Sequence, residues 1–143
     1  MSLRSPGRFS AAAARLVELW RRAGDPADTA LRDRVVDAWI GAQAYRLHTH
    51  ATAARLAAGG TLGAESSLGK VYWSELDVAL HETALDLLGP LAELDARPGE
   101  DRDPGPAARW LEGYLFSLAG PIYAGTNEIQ RSVIAERLLR LPR

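Results

Sequence analysis

Apolar residues recur at three- and four-residue steps through most of this chain, the period of helices that bury one face. From Ser10, expected as an N-cap, the run through Leu16, Val17, Leu19 and Trp20 predicts a first helix closed by Gly24. Asp25 as N-cap and Pro26 at the first helical position predict the start of a second. Its stripe, Leu31, Val35, Ala38, Trp39, Ala42, Tyr45, Thr49, Thr52 and Leu56, runs to Gly59-Gly60. At about 1.5 Å per residue such a helix is on the order of 45 Å long, which suits an extended bundle.

A third helix, capped by Ser66 or Ser67 and ended by Gly89-Pro90, is expected to bury Leu68, Tyr72, Leu76, Ala79, Leu80, Thr83 and Leu87. Lys70, Glu75, Asp77 and Glu82 then sit mostly off that stripe. Residues 97–106, rich in Pro, Gly and acid, read as an exposed loop. A fourth helix carries Trp110, Leu111, Tyr114, Leu115 and Leu118 up to Gly120-Pro121, and a fifth buries Ile129, Val133, Ile134 and Leu138. No stretch alternates with a period of two, so a sheet is not expected. The fold predicted is all-α: an antiparallel up-and-down four-helix bundle over residues 10–143 with one short extra helix. Residues 1–9 are expected to be a loose leader, with Met1-Ser2-Leu3 read as an expression scar.

Composition narrows the function classes. The chain has 143 residues, enough for one domain, and 47% apolar against 24% charged residues argues against disorder. Lys and Arg number 17 against 18 Asp and Glu, so no general attraction to nucleic acid or anionic membrane is expected. With no cysteine there is no disulfide framework and no thiolate zinc site. No apolar run approaches the roughly 20 residues of a membrane span, and no secretory signal is visible, so a cytoplasmic protein is expected. His48 and His50 are two apart on a helix and point in different directions, which does not make a metal pair. His81 has no second ligand near it in sequence. Trp20, Trp39, Trp73 and Trp110 read as core or interface anchors, and the apolar stripes suggest a bundle that is not left exposed as a monomer.

Chemical information concentrates in residues 120–131. Gly120 and Pro121 stop one helix, Gly125 permits positive φ, and Asn127 is expected to cap the next helix with Gln130 as its capping-box partner. The free N–H groups of that helix start, with Thr126 beside them, suit phosphate or another anion. The string from Ile122 to Arg143 (I-Y-A-G-T-N-E-I-Q-R, then S-V-I-A-E-R-L-L-R-L-P-R) resembles the C-terminal signature of the acyl-CoA dehydrogenases nearly continuously. Farther back, Ser67-Leu68-Gly69-Lys70-Val71-Tyr72 and Ala84-Leu85-Asp86-Leu87-Leu88-Gly89 are similar to the family helix that opens with S-x-x-K and ends in a Leu-Gly turn.

The resemblance implies a C-terminal helical domain of a flavoprotein that removes an α-proton and a β-hydride from an acyl-CoA thioester, the hydride passing to FAD. By position, Gly125 lies beside the thioester, while Thr126 and Glu128 are FAD contacts. Asp86 and Gly89 fall where the family's Q-x-x-G-G turn approaches the FAD of a neighbouring subunit, although Asp86 replaces the neutral amide and Pro90 the second glycine. Ala124 stands where many members carry the catalytic glutamate. Glu18 is the only acid on the first helix, where other branches place that base, and it reads more simply as a surface residue. The family's R-x-T-F-G-type segment, which gives FAD an arginine, is replaced by Arg21-Arg22-Ala23-Gly24-Asp25-Pro26. Two functions follow from the resemblance. The chain is either a fragment or split subunit that contributes to FAD and acyl-CoA binding in a homo- or hetero-oligomer, or a non-catalytic helical partner of a catalytic subunit. An unrelated helical interaction domain requires the terminal signature to be coincidence.

Overall fold

The computed structural model describes residues 4–93 and 105–142, with no strand among them. Four helices make the bundle: α1 (Pro6–Ala23), α2 (Thr29–Ala57), α3 (Ser66–Leu88) and α4 (Gly105–Ser117). A 3-10 turn, Gly89–Glu93, extends α3, and the short α5 (Asn127–Val133) runs on into a π-helical turn, Ile134–Leu138. Short connections force α1 to α3 to alternate in direction. α3 is the hub, packed against α1, α2, α4 and α5. The expected loop at 97–106 lies mostly outside the described residues, and its last two, Gly105 and Pro106, already belong to α4.

Helix starts differ from those the cap residues promise. α1 begins at Pro6, whose ring presets the helical φ, so Ser10 is an interior residue and not an N-cap. Phe9, expected in the leader, is fully buried with its ring edge-on to Tyr45, 5.1 Å between centroids. Asp25 accepts from the Ala27 N–H at 2.9 Å and closes a turn; Asp28 is the N-cap of α2, accepting from Leu31 N–H at 2.9 Å. α1 runs to Ala23, and the chain needs residues 24–28 to reverse before a new helix can start. Ser66 is already helical and donates to the Gly63 carbonyl at 2.8 Å, so neither Ser66 nor Ser67 caps α3.

The largest correction concerns which face of α3 is inside. Ser67, Gly69, Lys70, Trp73, Ser74, Asp77, Leu80, His81, Thr83 and Ala84 are buried, whereas Leu68, Tyr72 and Ala79 are exposed. Trp73, Leu80 and Ala84 anchor this stripe in a core shared with Phe9, Leu16, Tyr45 and Trp110, and the polar residues between them are carried inside at the same helical period. Burial also departs from expectation elsewhere. Trp39 on α2, Leu115 in the last turn of α4 and Leu118 just past it are exposed. So are Ile129 and Leu138, while Val133 and Ile134 are only half-buried; α5 buries Asn127 and Gln130 instead.

Candidate functional site

The segment between α4 and α5 is built from backbone bonds outward. Ile122 and Tyr123 N–H both donate to Ala119 carbonyl oxygen, at 3.1 and 3.0 Å, and Asn127 N–H donates to Pro121 carbonyl oxygen at 2.9 Å. Tyr123 packs on Trp73 with ring centroids 6.0 Å apart, and the Arg4 guanidinium lies over both rings while donating to the Tyr123 hydroxyl. Ala124 and Gly125 follow with φ of 56° and 87°, two successive left-handed residues that push the loop out to solvent. A side chain at 125 would also bring its Cβ within 2.6 Å of Gln130 Nε2.

The cap of α5 is Thr126, not Asn127. Its hydroxyl oxygen accepts from Ile129 N–H at 3.4 Å, and Gln130 turns back to donate to the Ala124 carbonyl at 3.1 Å without reaching residue 127. Three of the first four N–H groups of α5 are engaged: Asn127 by the Pro121 carbonyl, Ile129 by the Thr126 side chain and Gln130 by the Thr126 carbonyl. The backbone N–H of Glu128 itself and the Thr126 hydroxyl, with nearby Arg131 and Lys70, hold the Glu128 carboxyl below the usual carboxylate range.

Beneath the loop lies the polar stripe of α3. Lys70, 2% exposed, donates to Asn127 Oδ1 at 2.7 Å and to Pro121 carbonyl oxygen at 3.2 Å. Ser74 donates to the same Oδ1 at 3.1 Å, Asn127 Nδ2 donates to Glu75 Oε1 at 3.1 Å, and Arg131 pairs with Glu75. Burial pushes the Lys70 ammonium below its ordinary pKa, with Glu128 and Glu75 pulling the other way.

Asp86 and Gly89 stand at the far end of α3, about 16 and about 21 Å along the helix from Glu75 at about 1.5 Å per residue. They are not beside the Thr126 loop, but one exposed face joins the two places. A shallow groove of about 340 Å³ is lined by Glu75, Ala79, Glu82, Asn127, Glu128 and Arg131. A second, of about 270 Å³, shares Ala79 and Glu82 with it and continues to Arg34. Arg34 pairs with Asp86 at 2.5 Å, and Gly89 takes φ 51° as α3 ends. Glu18 is exposed and bonded to Arg22, on a helix whose other face fills the core. His48 and His50 are exposed, and no group of three or more metal-binding side chains occurs among the described residues. No helix is long and apolar enough to cross a membrane among the described residues.

Sequence reasoning missed Lys70, Ser74 and Arg34 as parts of this arrangement. For Lys70 and Ser74 a signal was present in Trp73, Leu80 and Ala84, seven and four residues apart on one face of α3; no local pattern marks Arg34 on α2.

A family model described as the acyl-CoA dehydrogenase C-terminal domain matches residues 3–139. The chain belongs to the acyl-CoA dehydrogenase family, as its C-terminal helical domain. It is 38% identical over 136 residues to acyl-CoA dehydrogenase IpdE1 of Mycolicibacterium smegmatis, covering 95% of this chain and 32% of that protein. Its likeness to IpdE1 of Mycobacterium tuberculosis is 38% over 128 residues, 90% of this chain and 31% of the relative. The chain therefore spans about a third of the length of these curated relatives. Among solved structures the fold is similar to the ChsE4-ChsE5 complex from Mycobacterium tuberculosis, with TM-score 0.77, 23% identity, and 99% of this chain on 37% of that one. It is also similar to the FAD complex of PigA, with TM-score 0.71, 20% identity, and 93% of this chain on 34% of that one.

Proposed function

We propose that this chain supplies the C-terminal part of a flavin-dependent acyl-CoA dehydrogenase, assembled with domains or subunits outside its sequence. The observation that carries this reading is the 120–128 loop, which exposes Ala124 and Gly125 in left-handed conformation and fixes Thr126 and Glu128 on the face of α3. That face offers two separate contacts to FAD. Thr126 and Glu128 accept bonds from sugar or ribityl hydroxyls of one FAD, and Arg34, already beside Asp86, is a cation available to the diphosphate of a neighbouring subunit's FAD. FAD, when bound, takes the hydride that leaves the β-carbon of the acyl group. Gly125, without a side chain, lets the thioester approach the backbone. Ala124 has no group that accepts a proton, and Glu18 is held by Arg22, so the base comes from outside these residues.

The partner-subunit reading draws support from Ala124 and from the names of structural relatives that are two-component assemblies, ChsE4-ChsE5 and the Tcur3481-Tcur3483 steroid ACAD. One experiment decides between them and tests both. The chain is purified alone and, by affinity capture from its own cells, with whatever it assembles with. Flavin absorbance and acyl-CoA-dependent dye reduction are then measured for each. Flavin and activity only in the assembly are expected. Robust dehydrogenation by the 143-residue chain alone refutes the shared-site reading, and an assembly that stays active with Gly125→Trp and Thr126→Ala in this chain assigns it the non-catalytic role.

A further inference from the structure

The loop that carries Thr126 is held at both ends by one buried ammonium. Lys70 Nζ bonds Pro121 carbonyl oxygen at the loop's entry and Asn127 Oδ1 at its exit, and the same two residues are joined directly by the Asn127 N–H bond to Pro121. Between them residues 122–126 form a bulge whose own internal bonds are few. Asn127 is 2% exposed and engages four groups at once: Lys70, Ser74, Glu75 and the Pro121 carbonyl. Residues on both sides of it face outward, Glu128 and Ile129 exposed and Thr126 half-buried.

We propose that Asn127 is the positioning residue of the site, and that Lys70 is its anchor: together they set the place and direction of Thr126 and Glu128 from the middle of the bundle. This rests on the reading that Thr126 and Glu128 contact FAD. A carboxamide is required because the position must accept and donate at once. Oδ1 receives Lys70 and Ser74, and Nδ2 supplies the proton that keeps the Glu75 carboxylate facing it. A buried lysine without a carboxylate directly bonded to it is costly to desolvate, and an apolar pair would stabilise the bundle as well. What the apolar pair cannot do is grip two points of a loop backbone at once.

Amide hydrogen exchange on the full chain tests this, with Asn127→Leu, Lys70→Met, Asn127→Asp and the pair Asn127→Asp with Glu75→Gln. Exchange at residues 122–126 is expected to rise about tenfold or more in the first three, with α1 and α2 amides unchanged. In the pair, the carboxamide introduced at position 75 donates to the carboxylate introduced at position 127 and keeps an acceptor for Arg131. Protection therefore returns to within about threefold of the parent chain. In the flavin-holding assembly the three loosened variants bind FAD about tenfold more weakly, read by flavin fluorescence, and the pair is restored. Loop exchange that does not change, that rises equally across the bundle, or that rises without loss of FAD overturns the proposal. An assembly of the parent chain that holds no flavin defeats the cofactor reading instead, and the exchange pattern with its rescue still decides whether Asn127 positions the loop.

Discussion

Arg8 donates to Asp77 Oδ2 at 2.9 Å, tying the first turns of α1 to the middle of α3. Asp77 is almost fully buried, and one turn on, His81 Nδ1 lies 2.7 Å from the Asp77 carbonyl oxygen, where it donates, and 3.4 Å from the Asp77 carboxylate. α4 closes over this pair with Trp110, whose ring is edge-on to the imidazole at 5.5 Å. Burial pushes the Asp77 carboxyl up, opposed by Arg8 and His81, and pushes the His81 imidazolium below the ordinary 6.5, with Arg8 and Arg15 adding to that and Asp77 opposing it.

Stability should therefore fall as pH drops below His81's ordinary 6.5. There the unfolded chain takes up a proton that the folded core resists, so unfolding gains relative to folding until the depressed folded value is passed. The slope from one such group cannot exceed about 1.4 kcal/mol per pH unit. Asp77 gives the opposite slope at lower pH, between 3.8 and its raised folded value, where the native state holds the extra proton. Urea midpoints measured from pH 5 to 8 should show the loss, and His81→Gln should flatten it; an unchanged slope in that variant assigns it to another group.

Phe9→Ala should cost about 3–5 kcal/mol, the range for emptying a large aromatic from a packed core. Phe9 touches both Tyr45 and Trp73, at ring centroids of 5.1 and 6.4 Å. Chemical denaturation of the full chain measures this. A loss below about 1 kcal/mol means that the segment before Ser10 is a leader after all.

Residues 124 and 125 respond to substitution in opposite ways. Gly125→Ala places a Cβ at φ 87° against Gln130 and should destabilise by about 1–3 kcal/mol. Ala124→Gly relieves a left-handed alanine at φ 56° and should be neutral to stabilising by up to about 1 kcal/mol. Thermal unfolding of both, with Gln130→Ala added to Gly125→Ala, separates the clash from the backbone strain: the second change recovers only the clash.

The half-exposed Arg34–Asp86 pair should contribute at most about 1 kcal/mol to folding. Its effect on cofactor binding is expected to be larger. If Arg34 meets the cofactor's diphosphate as proposed, Arg34→Ala should weaken FAD binding in the assembly about tenfold, while Asp86→Asn, which frees that cation, leaves it equal or tighter. Fluorescence titration against released flavin reads both, and loss in Asp86→Asn with none in Arg34→Ala reverses the assignment.

The helical architecture was legible because α2 keeps Val35, Ala38, Ala42 and Tyr45 at regular steps, and every one of them is buried. α3 was not legible in the same way. Its expected stripe was right at Leu80 and Thr83, which are buried, and at Leu76 and Leu87, which are half-buried, but Leu68, Tyr72 and Ala79 are exposed because the buried face is turned toward Lys70, Trp73 and Asp77. That face is identified by partners distant in sequence, Arg8 for Asp77 and Asn127 for Lys70, which no local pattern reveals. The cap of α5 slipped by one residue for a related reason. Asn127 has a better use inside, and Thr126 can cap from outside. The loop's position at the start of a helix was readable from Gly120, Pro121 and Gly125, but the bond of Asn127 N–H to the Pro121 carbonyl depends on a loop path that spacing does not encode.

The buried stripe of α3 has a consequence for how the bundle is assembled. Purely apolar helices can slide past one another by a turn and still find greasy neighbours. Lys70, Ser74 and Asp77 cannot, because each is matched to a particular group on another helix: the first two to Asn127 of α5, the third to Arg8 of α1. A one-turn slip of α1 or α5 strands a charge in the core and leaves its counterpart unmatched. The polar ladder works as a key with three teeth, and only one alignment of the helices turns it.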